Sequence, residues 1–339
     1  MKTSLLKHVS SDFRRPDSLV RQWTMATLAA WVVGFAAISA VNAAEEVPSA
    51  PAGRSLIRIG IAPGTWWGVN PNDAQAAISA WAKTILRQRR IEVDVETRMF
   101  DTEETMRDAL KAGEIDAVSM LAGQLLELAP ELQPEEVFLG TKNHSFTEQY
   151  KLLVHRAGGI TNVGGVAGRK LVIHASARTS LAPQWIDTLL ARNSLRPADE
   201  IVGNLTKITS PSKAVLQVFF RQAEACLVTS NVLELACELN PQLRRDLKVL
   251  AVSPEVVPSV FFFRAGYNST ARDLLEPAIL ALHETAAGLQ VLTVFQSDGM
   301  VKRPLACLEG TRQLLAEYRR RRLPTERKET AAAGKESTP

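Results

Sequence analysis

Arg178, Thr179 and Ser180 stand in a row between an apolar strand and an amphipathic helix, and that position gives them a chemistry. The stretch from Lys170 to Trp185 reads KLVIHASARTSLAPQW. Leu171, Val172 and Ile173 predict a strand, Ala175 to Thr179 a polar turn, and Leu181, Trp185, Ile186, Leu189 and Leu190 one face of a helix. The first turn of a helix carries N–H groups without intrahelical partners and the positive end of the macrodipole, so an oxyanion is stabilised there. A guanidinium and two hydroxyls at such a mouth can grip a phosphate, phosphonate, sulfonate or carboxylate. Ser and Thr at a helix start also serve as plain backbone caps, and Arg178 has the alternative of pointing into solvent.

No arrangement of residues predicts catalysis. His144, His155, His174 and His283 are scattered, and the chain holds no HExxH, GxSxG or Walker loop. His174 adjoins the polar turn and reads either as part of it or as a strand-end histidine of the core. Cys226, Cys237 and Cys307 form no CxxC and have no clustered histidines, so neither a metal nor a cofactor is expected. A Cys226 to Cys237 disulfide and a buried Cys226 thiol, set among the apolar residues of EACLVT, are both compatible with these spacings.

The ends of the chain differ from its body. Lys2, Lys7, Arg14, Arg15 and Arg21 precede an apolar run from Met25 to Val41, followed by the small residues of Val41-Asn42-Ala43. This pattern predicts a cleaved secretion signal over residues 1–43, a retained anchor being the alternative, and a Pro and Ala-rich linker over 44–53. It implies a Gram-negative periplasmic destination. At the other end, Arg319 to Arg322 and the Thr, Glu, Lys and Ala-rich residues beyond predict a basic disordered tail over 319–339. The formal net charge of +4 is concentrated in these ends, so the folded body is not basic and nucleic acid is not an expected partner.

Between the ends, strands and helices alternate. Ser55 to Ala62, Ile91 to Arg98 and Ile115 to Met120 read as strands, with helices over Asp73 to Gln88 and Thr102 to Ala112. The alternation resumes at Tyr150 to His155 and runs through a polar stretch, Gly203 to Ser212, a helix from Lys213 to Phe220, and strands at Ala225 to Thr229 and Lys248 to Val252. A last strand, Ser259 to Phe263, precedes helices over Thr270 to Ala287, Leu289 to Phe295 and Leu305 to Tyr318. Such βαβ order predicts an α/β protein of mostly parallel sheets with ligands at the carboxyl ends of the strands.

The order of LKAGEIDAVSM (Leu110 to Met120), QYKLLVHRAGGI (Gln149 to Ile160), VAGRKLVIHASARTSLAP (Val166 to Pro183), QAEACLV (Gln222 to Val228), LKVLAVSPEVVPSVFFF (Leu247 to Phe263) and AAGLQVLTVFQSDGM (Ala286 to Met300) resembles a known family. It looks like the phosphate, phosphite and phosphonate type of periplasmic substrate-binding protein of ABC importers, over roughly Ile57 to Tyr318. The resemblance implies a two-lobed type 2 periplasmic-binding fold, each lobe a mostly parallel sheet flanked by helices, with the ligand in the interlobe cleft. Lobe 1 would be residues 54–143 plus 254–318, and lobe 2 residues 144–253. The expected function is capture of a small anionic ligand by a monomer that presents it to an ABC permease. Presentation to a membrane sensor, a receptor kinase or chemoreceptor, is the alternative; an enzyme of this fold would need His and Cys chemistry that is not found.

The resemblance also implies site residues. The family grips its anion with a Ser-Thr-Ser-Gly turn; Thr179 and Ser180 match it, while Arg178 replaces a Ser and Leu181 a Gly. Trp66, after the first strand, would wall the ligand or pack beneath its loop. Ser119 ends another strand as a donor. Lys213 opens a helix near the place of a ligand-contacting His, and Glu224 takes the place of an Asp that binds a cationic substituent, braces a hinge or forms an ordinary ion pair.

Overall fold

Isoleucines at alternate positions of the first strand, Ile57, Ile59 and Ile61, all face one side and are almost wholly buried. The computed structural model describes residues 55–333 apart from 66–69, 89, 91 and 92. The expected signal and linker lie outside those residues. In chain order the strands and helices are β1 (Ser55–Ile61), α1 (Pro71–Gln88), β2 (Val93–Met99), α2 (Glu103–Lys111), β3 (Ala117–Leu121), α3 (Ala122–Leu125) and β4 (Glu136–Thr141). Then come β5 (Tyr150–His155), β6 (Lys170–His174), α4 (Ala182–Arg192), α5 (Ala198–Ile201), β7 (Asn204–Ile208), α6 (Pro211–Phe219), β8 (Ala225–Thr229), α7 (Ser230–Leu239), α8 (Gln242–Asp246) and β9 (Leu247–Val252). The chain closes with β10 (Ser259–Phe263), α9 (Thr270–Leu280), α10 (Ala286–Val294), β11 (Gly299–Pro304) and α11 (Glu309–Ala333).

Two sheets result, ordered β11-β4-β10-β3-β1-β2 and β7-β6-β8-β5-β9. Both are mixed. In the first, β1 runs parallel to β2 and β3, because α1 and α2 carry the chain back over the sheet, while β10 is antiparallel to β3 and β4. In the second, β6 is parallel to β7 and β8, and β5 antiparallel to β8 and β9. The antiparallel strands are those by which the chain enters or leaves a sheet. Each sheet is apolar on both faces: Leu171 and Ile173 of β6 join one core, and Val172 between them joins another.

The chain crosses between the sheets at residues 142–149 and 253–258, and these crossings pair with each other. Glu148 and Val256 form an antiparallel bridge, the Tyr150 amide donates to Ser253 Oγ at 2.7 Å, and the Ser253 amide donates to the Tyr150 carbonyl at 2.8 Å. Helix α11 lies over the same place. Thr311 Oγ1 accepts from the Val257 amide at 2.8 Å, and a Cβ on Gly310 would come within 2.3 Å of the Glu255 carbonyl oxygen, so only glycine permits that approach.

The C-terminal segment departs from expectation. Residues up to 318 are expected in the first lobe, yet Leu314 and Leu315 are buried with Tyr150, Trp185 and Ile186 in the second sheet's core. The disordered tail expected from Arg319 is instead a continuation of α11 to Ala333. Charge pairing explains its first turn, since Glu317 accepts from Arg192 at 2.9 and 2.5 Å and from Arg321 at 2.8 Å, and Arg319 reaches Glu127 at 2.5 Å. The Arg192 guanidinium holds the Glu317 carboxyl down to about 2. Among the described residues no helix is long and apolar enough to cross a membrane. All three cysteines are unpaired thiols, and burial raises that of Cys226 well above the ordinary range.

Candidate functional site

The polar turn after β6 is built from its own backbone and one hydroxyl. Ala177–Thr179 form a single 3-10 turn, and helix α4 opens at Ala182 with no cap from the Leu181 side chain. Thr179 Oγ1 donates to the His174 carbonyl at 2.6 Å and accepts from the Ser176 amide at 2.9 Å, which closes the segment into a loop. Thr179 is buried, so its hydroxyl shapes the turn from within. Replacing it by valine, nearly the same in shape, leaves both backbone groups without this partner and should cost about 1–3 kcal/mol of unfolding free energy. Urea denaturation of Thr179→Val checks this; an unchanged midpoint would mean that the turn closes without the hydroxyl.

Above the turn lies a pocket of about 150 Å³ lined from both sheets. Gly64 and Leu121 approach from the carboxyl ends of β1 and β3. Ile173 to Ser176, Thr179, Ser180 and Pro183 come from the β6–α4 connection, and Lys207 from the edge strand β7. Ser180 is half-buried and its Oγ lies 3.4 Å from the Pro258 carbonyl on the second crossing. His174 is only 6% exposed, and burial pushes its imidazole below the ordinary histidine range, a bond to the Thr209 backbone pulling the other way. Lys207 is exposed and supplies the pocket with a positive charge.

Arg178 is directed elsewhere. Its side chain is buried in an ion pair with Glu148 on the first crossing, and Nη1 donates to the Gln296 carbonyl at 3.2 Å and lies 3.5 Å from Ser297 Oγ. It therefore ties the second sheet's turn to the crossing and to the segment ahead of β11, and it is not among the residues lining the pocket. Burial pushes the Glu148 carboxyl up, against the pull of the Arg178 guanidinium. Tyr150 completes the support, its hydroxyl donating to the Arg178 carbonyl at 3.1 Å.

The other expected residues do not converge on the pocket. Ser119 faces a separate apolar cavity of about 100 Å³ inside the first sheet's core, among Ile61, Phe261 and Met300. Lys213 is exposed in the first turn of α6, its amide 3.4 Å from Ser210 Oγ. Glu224 accepts from the Lys170 amide at 3.0 Å, at the start of β6, about 10 Å from the first pocket-lining residue of that strand, Ile173, at roughly 3.3 Å per residue. It braces two strands. Trp66 lies outside the described residues. Of the seven, Thr179 and Ser180 line the pocket, and sequence reading missed Lys207 because β7 sits in the stretch Gly203 to Ser212 that reads as polar. The alternation of Leu205, Thr206, Lys207 and Ile208 was the available signal. Among the described residues no group of His, Cys, Asp and Glu is placed to hold a metal ion.

Comparison with known proteins agrees with this architecture. The fold is similar to that of XAC2383 from Xanthomonas citri bound to ATP, with a TM-score of 0.53, 17% identity, and 79% of this chain and 98% of that one covered. It is also similar to a binding-protein component of an ABC phosphonate transporter from Pseudomonas aeruginosa, with a TM-score of 0.51, 14% identity and coverage of 80% and 89%. Both likenesses speak to the fold, a pair of mixed α/β sheets of the type 2 periplasmic-binding kind. No curated protein sequence matches the chain. Residues 68–303 match the family described as ABC transporter, phosphonate, periplasmic substrate-binding protein, and with more than half of its length matched the chain belongs to that family of binding proteins.

Proposed function

We propose that the protein captures a small oxyanion, phosphate- or phosphonate-like, in the pocket above the Ala175 to Ser180 turn and hands it to an ABC permease after export to the periplasm. The observation that carries this reading is the pocket itself: strand ends of both sheets meet over a turn at the start of α4, with Lys207 beside it. Its volume, about 150 Å³, suits a tetrahedral anion with a small substituent. Lys207 and the Ser180 hydroxyl contact the ligand, while Arg178 and Thr179 hold the turn in place.

A panel of phosphate, phosphite, methylphosphonate, sulfonates and carboxylates, compared by thermal shift and calorimetry, tests the proposal. A ligand at a hundredfold excess over its dissociation constant should add about 2.7 kcal/mol of stability. Losing one charge-assisted hydrogen bond costs about 1.5–3 kcal/mol, so Lys207→Ala should weaken binding roughly tenfold or more. A neutral or cationic ligand whose affinity survives Lys207→Ala and Ser180→Ala would overturn the reading.

A further inference from the structure

The first sheet fills one face with large apolar side chains, row by row, and at one place it leaves a gap. Ile61, Ser119, Phe261 and Phe138 lie side by side on β1, β3, β10 and β4 and face the same way. Ser119 is the small member of that row, and Gly140, opposite Met300, has no side chain to add. The apolar cavity of about 100 Å³ lies over this place, roofed by Trp81 of α1, Leu275 of α9 and Val291 of α10. Close-packed interiors hold few voids larger than a water molecule. An apolar cavity of roughly 150 Å³ stays free of water and takes up benzene, and the one here is only somewhat smaller.

Its polar atoms are confined to one end. Ser119 and Ser259 line the cavity where β10 leaves the second crossing, and among the described residues neither hydroxyl has a hydrogen-bond partner. Ser297, the third hydroxyl there, is engaged with the Phe295 carbonyl at 3.1 Å. No charged side chain lines the cavity among the described residues.

We propose that this cavity is a second binding site, for an uncharged molecule about the size of benzene that carries one hydroxyl, a small phenol. The ring occupies the gap over Ser119, where it gains the contacts that the void forfeits. Its hydroxyl donates to one serine and accepts from the other. An ionised molecule is excluded, because it would leave water for a space that offers no opposite charge. The site therefore differs in kind from the pocket above the Ala175 to Ser180 turn, and it does not depend on anion capture there. A water held between the two serines would satisfy the hydroxyls and leave the apolar part empty, which is the arrangement that a test must separate from this one.

Phenol, benzene and benzoate are the probes, followed by ligand-observed NMR on the purified protein at neutral pH, where phenol is uncharged. Phenol and benzene should both bind saturably, phenol the tighter, and benzoate should displace neither. Ser119→Ala should weaken phenol roughly two- to tenfold, the net effect of one hydrogen bond, and leave benzene nearly unchanged. Ser119→Leu, with folding verified by its melting temperature, should fill the gap and abolish binding of both. If the leucine variant does not fold, the comparison of phenol with benzene in wild type and Ser119→Ala decides alone. Failure of both phenol and benzene to bind the wild type, which leaves the cavity to water, overturns the inference. So does binding that survives Ser119→Leu in a folded protein, displacement by benzoate, or a loss in Ser119→Ala shared equally by phenol and benzene.

Discussion

Glu148→Ala is expected to lose about 3–5 kcal/mol of unfolding free energy, the effect of leaving one member of a buried ion pair uncompensated. Arg178 would remain with its guanidinium inside the protein, held by the Gln296 carbonyl and Ser297 and with Nη2 already lacking a partner. Because desolvation pushes Glu148 up against the pull of Arg178, the pair is an expensive arrangement whose members tolerate each other only together. The double replacement Glu148→Leu with Arg178→Met should therefore be far less damaging than Glu148→Ala alone, and nearly neutral if the apolar pair packs well. Urea denaturation of the three variants settles the matter. A loss below about 1 kcal/mol in Glu148→Ala would mean that Arg178 swings out to water, since surface ion pairs contribute only that much. The consequence for function follows from position: Glu148 lies on one crossing and bridges Val256 on the other, so the pair joins the turn under the pocket to the segments about which the lobes would hinge.

Trp185→Ala should be comparably severe, costing about 3–5 kcal/mol by the usual effect of truncating a large buried aromatic side chain. Trp185 is 1% exposed and sits at the centre of the second sheet's core, its ring centroid 6.2 Å from that of Tyr150 and in the same cluster as Leu314 and Leu315 of α11. It is also in the first turns of α4, immediately behind Ser180 and Pro183. A void there releases the helix start and the Tyr150 hydroxyl that holds the Arg178 carbonyl, so anion affinity should fall along with stability. Leu190→Ala is the control: that residue is equally buried but lies in the last turns of α4, so it should lose stability with little loss of affinity. If Trp185→Ala binds anion as tightly as the wild type, the pocket does not depend on the packing beneath it.

Local pattern determined most of the elements. Alternation in β1, the caps and apolar spacing of α2, and the strand, turn and helix from Lys170 to Trp185 are properties of neighbours in the chain, so they are legible without the fold. The order of motifs over the body of the chain likewise carried the family, and with it the pair of sheets and two crossings. The strands that sequence reading passed over have weaker signatures: β4 and β11 pair with each other in a mixed sheet, and β7 is an edge strand whose exposed residues disguise it as a loop.

What the tertiary structure alone decided is the direction of side chains whose partners are far away in sequence. Arg178 and Lys207 looked, respectively, like a ligand-binding cation and an unremarked residue of a polar stretch. The partner of Arg178 is Glu148, thirty positions earlier on a crossing, and burial of both makes pairing compulsory, because neither charge could remain there alone. Lys207 reaches the pocket because β7 pairs in register with β6, placing it beside Ile173 at the strand end where the turn begins. His174 is distinguished from an ordinary core histidine by a nitrogen without a partner, a fact about the atoms around it that no spacing in the chain encodes. Periodicity specifies which residues turn inward; which of the buried polar groups are satisfied depends on contacts between segments brought together by folding.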